Sequence, residues 1–321
     1  MKTVLGIDQA KKKFDVALLL NGKYKSKVFE NSPSGFSALL TWLAKNDVET
    51  VHACMEATGD YGAALARFLY DAGHSVSVTN PARIKAFGQS ELLRTKNDKT
   101  DAKLIARFCE KMEPTLWQPP PAEIEYLRDL GRRRDALISM RTQELNRQET
   151  SNETVNSSVQ TVLECLDKEI EQISKLIKDH ISKHPALKHK YDLLNSIPGV
   201  GPSSIEAILS EINAFEGFET IEQVVAYMGL SPKEHTSGTS VKGKSAICKI
   251  GNARLRKALY MPALSAIIHN PIVRALYDRM KAKSKNGMVI ACACMKKLVH
   301  LIYGVIKTNK PFDPAYTLKT A

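Results

Sequence analysis

The 321-residue chain reads as an α/β domain on a mixed sheet, then coiled-coil helices, then a mainly α C-terminal domain. Three observations carry that reading. Over residues 1–115, short apolar runs alternate with amphipathic stretches, the pattern of strands and helices that share one sheet. Within 116–184, Val159, Leu163, Leu166, Ile170, Ile173, Ile177 and Ile181 recur at spacings of four and three, the a/d seam of a coiled coil. Within 185–321, Gly199 and Gly201 sit between two helix-forming stretches, which predicts a helix-hairpin-helix.

In order, Val4 to Asp8 is an apolar run ending in an acid and predicts the first strand. Phe14 to Leu20 and Lys23 to Phe29 predict two more, joined by Asn21-Gly22, a strong hairpin signal, so the first three strands form a meander. Phe36 to Leu43 predicts a helix. Val51 to Met55 predicts a buried strand that runs into Glu56-Ala57-Thr58-Gly59. Ala63 to Ala72 predicts a helix closed by Gly73, and Ser75 to Val78 another strand. After Asn80-Pro81 and a helix through Phe87, the stretch from Lys96 to Asp101 opens a helix that Leu104, Ile105 and Phe108 would dock on the core.

The acids in these places suggest chemistry. Asp98 and Asp101 share one helix face at their spacing of three. Asp8 and Glu56 end predicted strands, where sites form in open α/β sheets. Each alone also reads as a cap, a turn residue or a solvated strand end. Together, four carboxylates in one crevice repel unless cations lie between them. Two Mg²⁺ ions about 4 Å apart, with Mn²⁺ as a substitute, would neutralise them and activate a water or hydroxyl for in-line attack on a phosphodiester.

Composition narrows the partner. The chain is 43% hydrophobic and 25% charged, enough to bury a core, and its net charge is +12. Residues 231–321 hold 17 Lys/Arg against 3 Asp/Glu, so the basic excess lies at the C-terminal end. Phosphates attract such dispersed cations, which points to nucleic acid, with an anionic membrane surface as the weaker alternative. The six cysteines form no C-x-x-C pair, which suits a reducing cytosol and argues against a zinc ribbon. Met1-Lys2-Thr3 leads straight into a strand, so no signal peptide is expected. Met288 to Ile306 is interrupted by Lys296, Lys297 and His300 and reads as a buried helix, not a membrane span.

Pro119-Pro120-Pro121 is a stiff linker. Glu123 to Thr150 predicts a long helix bearing Arg132-Arg133-Arg134, and the coiled-coil seam follows; its partner is either that helix or another subunit. The backbone N–H groups around Gly199 and Gly201 can hold a DNA phosphate without reading sequence, though an ordinary helix turn has the same pattern. A basic Gly/Ser loop follows, with Ser237, Ser240, Lys242, Lys244 and Ser245, then Lys249-Ile250-Gly251-Asn252 and a helix with Arg254, Arg256 and Lys257. It lacks the G-x-x-x-x-G-K-[ST] pattern of a P-loop. Its lysines and arginines suit phosphate, and a serine there can serve as a nucleophile if a base or metal activates it.

Ile7-Asp8, Glu56-Ala57-Thr58-Gly59 and Asp98-Lys99-Thr100-Asp101-Ala102 resemble the acid motifs of the DEDD transposases of bacterial insertion sequences, the insertion-sequence one-ten family. Ser237-Gly238, Lys249-Ile250-Gly251-Asn252 and Leu255-Arg256 resemble that family's C-terminal transposase domain. The resemblance covers nearly the whole chain. It implies a RuvC-type, RNase H-like domain over 1–115, a linker and coiled coil over 116–184, and a catalytic-serine domain over 185–321. It implies catalysis and metal binding by Asp8, Glu56, Asp98 and Asp101, with Ser237 as nucleophile. It further implies donor and target DNA, a structured guide RNA, a homodimer or homotetramer, and a cytoplasmic, nucleoid-associated protein of bacteria.

The expected function is that of a DNA transposase or recombinase working through a serine–phosphodiester link. One alternative is a junction endonuclease that uses the carboxylates alone and leaves no covalent adduct. Another is a non-catalytic nucleic-acid-binding protein. A sugar kinase is disfavoured, because no glycine-rich phosphate loop accompanies the first strand.

Overall fold

The computed structural model describes residues 3–57, 61–92, 98–215, 217–233, 236–237, 241–242 and 246–315, with Lys99, Ala214, Thr236, Ser237, Val241 and Lys242 described by backbone alone. The chain divides into two compact units, Met1–Pro119 and Pro120–Ala321.

In the first unit, β1 (Val4–Gln9), β2 (Lys13–Leu20) and β3 (Lys23–Glu30) form the expected antiparallel meander. Asn21 and Gly22 both have positive φ, 49° and 75°, the conformation a two-residue hairpin needs. α1 (Pro33–Ala44) starts earlier than Phe36, because Ser32 caps the Gly35 N–H and Pro33 fits the first turn. β4 (His52–Glu56) and β5 (Ser75–Thr79) run parallel to β1, giving the order β3-β2-β1-β4-β5. α2 (Ala63–Asp71), α3 (Pro81–Ser90) and α4 (Asp98–Met112) complete the unit.

Strand alternation sorts the two sheet faces. Leu5, Ile7, Val16 and Met55 pack with Leu39 of α1 and Leu69 of α2. Val4, Ala17, Leu19 and Cys54 pack with Ile105 and Phe108 of α4. At Gly6 the α4 backbone comes so close that a Cβ would lie 2.1 Å from the Ala102 carbonyl oxygen and 2.3 Å from the Ala106 nitrogen. Any side chain there would lift the helix, so this approach requires glycine.

In the second unit, α5 (Ala122–Gln148) and α6 (Glu153–Lys183) pack antiparallel. Gln148 bonds Gln160, Arg141 pairs with Asp167, and His180 Nε2 bonds the Glu123 carbonyl. All seven seam residues of α6 are buried or half-buried. The seam therefore finds its partner within the chain. α7 (Pro185–Asn195), α8 (Pro202–Ile212) and α9 (Ile221–Tyr227) follow, then two-residue strands in two pairs. β6 (Pro232–Lys233) pairs with β9 (Ala246–Ile247), and β7 (Thr236–Ser237) with β8 (Val241–Lys242). α10 (Ala253–His269), α11 (Pro271–Ala282) and α12 (Gly287–Thr308) close the unit. Leu127 of α5 and Ile181 of α6 share one core with Ile208, Leu259 and Leu298, so one end of the long helix pair is built into the C-terminal helices. α12 is long and apolar enough to cross a membrane by length and composition, and its face from Ile290 to Val305 is buried in this core.

Candidate active site

β1 and β4 run parallel with Gly6 beside Cys54 and Ile7 beside Met55. Continuing that register one step sets Asp8 beside Glu56. Both lie on the face that Val4 and Cys54 give to α4, by the two-residue period of a strand. The seating of α4 on Gly6 brings Asp101, one residue before Ala102, to the same end of the sheet. Asp8, Glu56 and Asp101 line one open cleft of about 540 Å³ with Lys85 and Gln89 of α3, a size ordinary for a ligand site.

Asp98, the first residue of α4, is not among the residues lining that cleft. Its carboxylate accepts a hydrogen bond from Lys13 Nζ at 2.7 Å. The same ammonium reaches Asp15 at 3.2 Å. Asp15 is a fifth carboxylate that the sequence reading missed. It lies directly across the β1–β2 ladder from Asp8 and is buried. Its one signal in the sequence is a charged residue between Phe14 and Val16 in an otherwise apolar strand.

The charges act on one another. Burial first, and then the carboxylates of Asp101, Asp98, Glu56 and Asp15, push the Asp8 carboxyl up to about 6. The hydrogen bond and charge of Lys13 hold Asp98 below the usual carboxylate range. This all-oxygen donor set is the kind that takes a hard divalent cation. Among the described residues, no three such side chains already stand close enough to grip one ion. Cations would have to draw them together.

In the second unit, Ser237 lies in β7 opposite Val241, with Thr236 opposite Lys242. Gly238, Ser240, Lys244 and Ser245 lie outside the described residues. The segment after β9 is a built turn. Lys249 has φ 60° and is exposed, and Gly251 has φ 141°. A Cβ on Gly251 would lie 2.1 Å from the Tyr227 carbonyl oxygen, which accepts the Asn252 N–H at 2.7 Å. The Asn252 side chain caps α10 at Leu255 N and donates to Glu211 at 2.9 Å.

The cations of α10 divide. Arg254 donates to Glu211 at 2.7 Å and Asp135 at 2.6 Å, and Arg256 donates to the Met228 carbonyl at 2.9 Å. Both spend donors inside the unit, while Lys257 lines a surface groove with Thr142, Gln143 and Ser203. Burial works to raise the Glu211 carboxyl, but hydrogen bonds from Asn252 and Arg254 and the charges of Arg132 and Arg254 prevail and hold it low. The two glycines before α8 also differ. Gly199, at φ 94°, packs on the Ala266 backbone, where a Cβ would sit 2.6 Å away. Gly201 has open space around it at the α8 N-terminus.

Acids gathered where parallel strands end, joined in sequence to a helical unit with the basic excess, suit a protein that acts on nucleic acid, and the comparisons with known proteins define the class as DNA transposases. The chain belongs to the transposase family IS116/IS110/IS902. Residues 5–150 match the DEDD transposase family of the IS110 type, and residues 191–278 match the IS116/IS110/IS902 transposase family. The chain is 34% identical to the pilin gene-inverting protein of Moraxella bovis over 315 residues, covering 97% of this chain and 98% of that one. The counterpart from Moraxella lacunata is equally similar over the same length. The transposase for insertion sequence element IS1111A of Coxiella burnetii is 26% identical over 275 residues, 75% of this chain and 73% of that one.

Proposed function

We propose that this transposase cuts and rejoins DNA through a serine–phosphodiester intermediate at Ser237, supported by Asp8, Glu56, Asp98 and Asp101. The observation that carries the reading is the cleft shared by Asp8, Glu56 and Asp101, where Asp8 is pushed up to about 6 by burial and by its neighbours' charge. A carboxylate kept that uncomfortable is suited to a cation, and the Moraxella relatives are named for inverting a gene, which requires strands to be both cut and rejoined.

Mg²⁺, with Mn²⁺ as substitute, would supply charge neutralisation and a more acidic hydroxyl or water at the phosphate. The carboxylates of Asp8, Glu56, Asp98 and Asp101 would hold it, and a carboxylate there can take the proton of the attacking hydroxyl. Ser237 Oγ bonds to phosphorus, the bond from phosphorus to one sugar oxygen breaks, and that oxygen leaves as a hydroxyl. The phosphoserine link keeps the bond energy, so a second strand's hydroxyl can reverse the step on a new partner. Lys242, Lys244, Lys249 and Lys257, with the N–H groups around Gly199 and Gly201 in a helix-hairpin-helix, would hold phosphates. Arg254 and Arg256 would join them only by releasing internal partners.

The reading assigns a RuvC-type catalytic segment to 1–115, a helical connector to 116–184 and a serine domain to 185–321. It adds a structured guide RNA that pairs with donor and target DNA, since pairing can carry specificity while the protein supplies affinity. Two duplexes need two sites, hence a homodimer or homotetramer acting at the bacterial nucleoid.

The test is covalent trapping on a denaturing gel, with the protein, Mg²⁺, RNA transcribed from the flanking element and labelled junction DNA. A protein–DNA adduct lost in Ser237→Ala and reduced in Asp101→Asn is the expected result. Cleavage without an adduct, unchanged in Ser237→Ala, would replace this reading with a hydrolytic junction endonuclease.

A further inference from the structure

Lys13 bridges two of the five clustered carboxylates. It stands on β2, on the strand face that carries Asp15, Ala17 and Leu19 toward α4. Its ammonium lies 3.2 Å from Asp15 and 2.7 Å from Asp98. Asp15 is fixed by the ladder opposite Asp8, so the bridge ties the first residue of α4 to β2. The cleft of Asp8, Glu56 and Asp101 meanwhile lacks Asp98 among its lining residues.

We propose that Lys13 is the internal counter-ion of this carboxylate cluster, holding Asp98 to the β2 side until divalent cations displace it and Asp98 joins the cleft. The inference rests on the reading that these acids take divalent cations, and deepens it. Three observations support it. The bridge is a surface one, with the Lys13 side chain 48% exposed and that of Asp98 58% exposed, so releasing it costs little. Asp98 is absent from the lining of the cleft that Asp8, Glu56 and Asp101 share, as expected if it is diverted. The carboxylates of Asp8, Asp15, Glu56, Asp98 and Asp101 together attract cations, and two divalent ions offer more charge than the Lys13 ammonium. Lys13 thus acts through Asp98 as a positioning residue and touches no reacting atom.

Lys13 sets the affinity of the empty site. Mn²⁺ binding to the full-length protein, followed by the loss of free Mn²⁺ signal in electron paramagnetic resonance, measures it without turnover. Lys13→Met is expected to tighten Mn²⁺ binding on the order of three- to tenfold, the range that losing one or two exposed ion pairs allows. Lys13→Arg, which keeps the charge, is expected to bind as the parent does. In an Asp98→Asn background, Lys13→Met is expected to change affinity by less than about twofold, because the residue it acts through is gone.

Unchanged or weaker Mn²⁺ binding in Lys13→Met, with the thermal melt intact, would overturn the proposal. An equal gain in the Asp98→Asn background would overturn the route through Asp98. Parent protein that binds no Mn²⁺, or binds it equally after Asp8→Asn, would overturn the metal reading itself, an outcome distinct from the first two.

Discussion

Asp8 sets the behaviour of the site at the residue scale. Its folded carboxyl titrates near 6 against an ordinary 3.8, so between those values the folded protein binds more protons than the unfolded chain. Stability of the first unit therefore falls as pH rises through that window when no divalent ion is present. Asp8→Asn removes the buried charge and the repulsion it meets. It is expected to raise the melting temperature in chelator above pH 6, with the gain shrinking toward pH 4. A gain equal at pH 4 and pH 8 would mean that neither burial nor the neighbouring carboxylates raise Asp8. Gly6 makes a second residue-scale case. A methyl group there meets the α4 backbone, so Gly6→Ala should destabilise the unit by about 2–3 kcal/mol, read by denaturant unfolding.

At the scale of elements, the turn between β9 and α10 is held by Gly251 and Asn252. Asn252→Ala removes both a helix cap and a donor to Glu211, and about 1–2 kcal/mol of stability should go with it. How much of this was legible in the sequence follows from the range of the interactions. The meander was written in Asn21-Gly22, and the strand-end places of Asp8 and Glu56 in apolar runs that stop at an acid. The α6 seam was legible as a period, but a period does not name its partner, which is α5. Asp15 and Lys13 were not legible, because which strand face they share with Asp8 depends on the register of β1 on β2. Nor was the committed state of Arg254, whose partners Asp135 and Glu211 come from α5 and the end of α8, far off in sequence.

At the scale of the whole molecule, the chain is two compact units with separate cores. Calorimetry should show Gly6→Ala shifting one transition and Asn252→Ala the other. A common shift would mean that the units unfold as one. The charge excess makes a second molecule-scale prediction. Lys281 in the last turn of α11, and Lys283 and Lys285 between α11 and α12, are all exposed. If they meet phosphates, replacing them with alanine should flatten the plot of log affinity for duplex DNA against log salt by up to about three counterions. The seating of α4 on Gly6 also bears on how such a protein can diverge. Asp8 and Asp101 lie far apart along the chain, yet their spatial relation is set where helix backbone meets strand backbone. Insertions and deletions between α3 and α4 leave that contact of helix on strand in place, while a single methyl group at Gly6 does not.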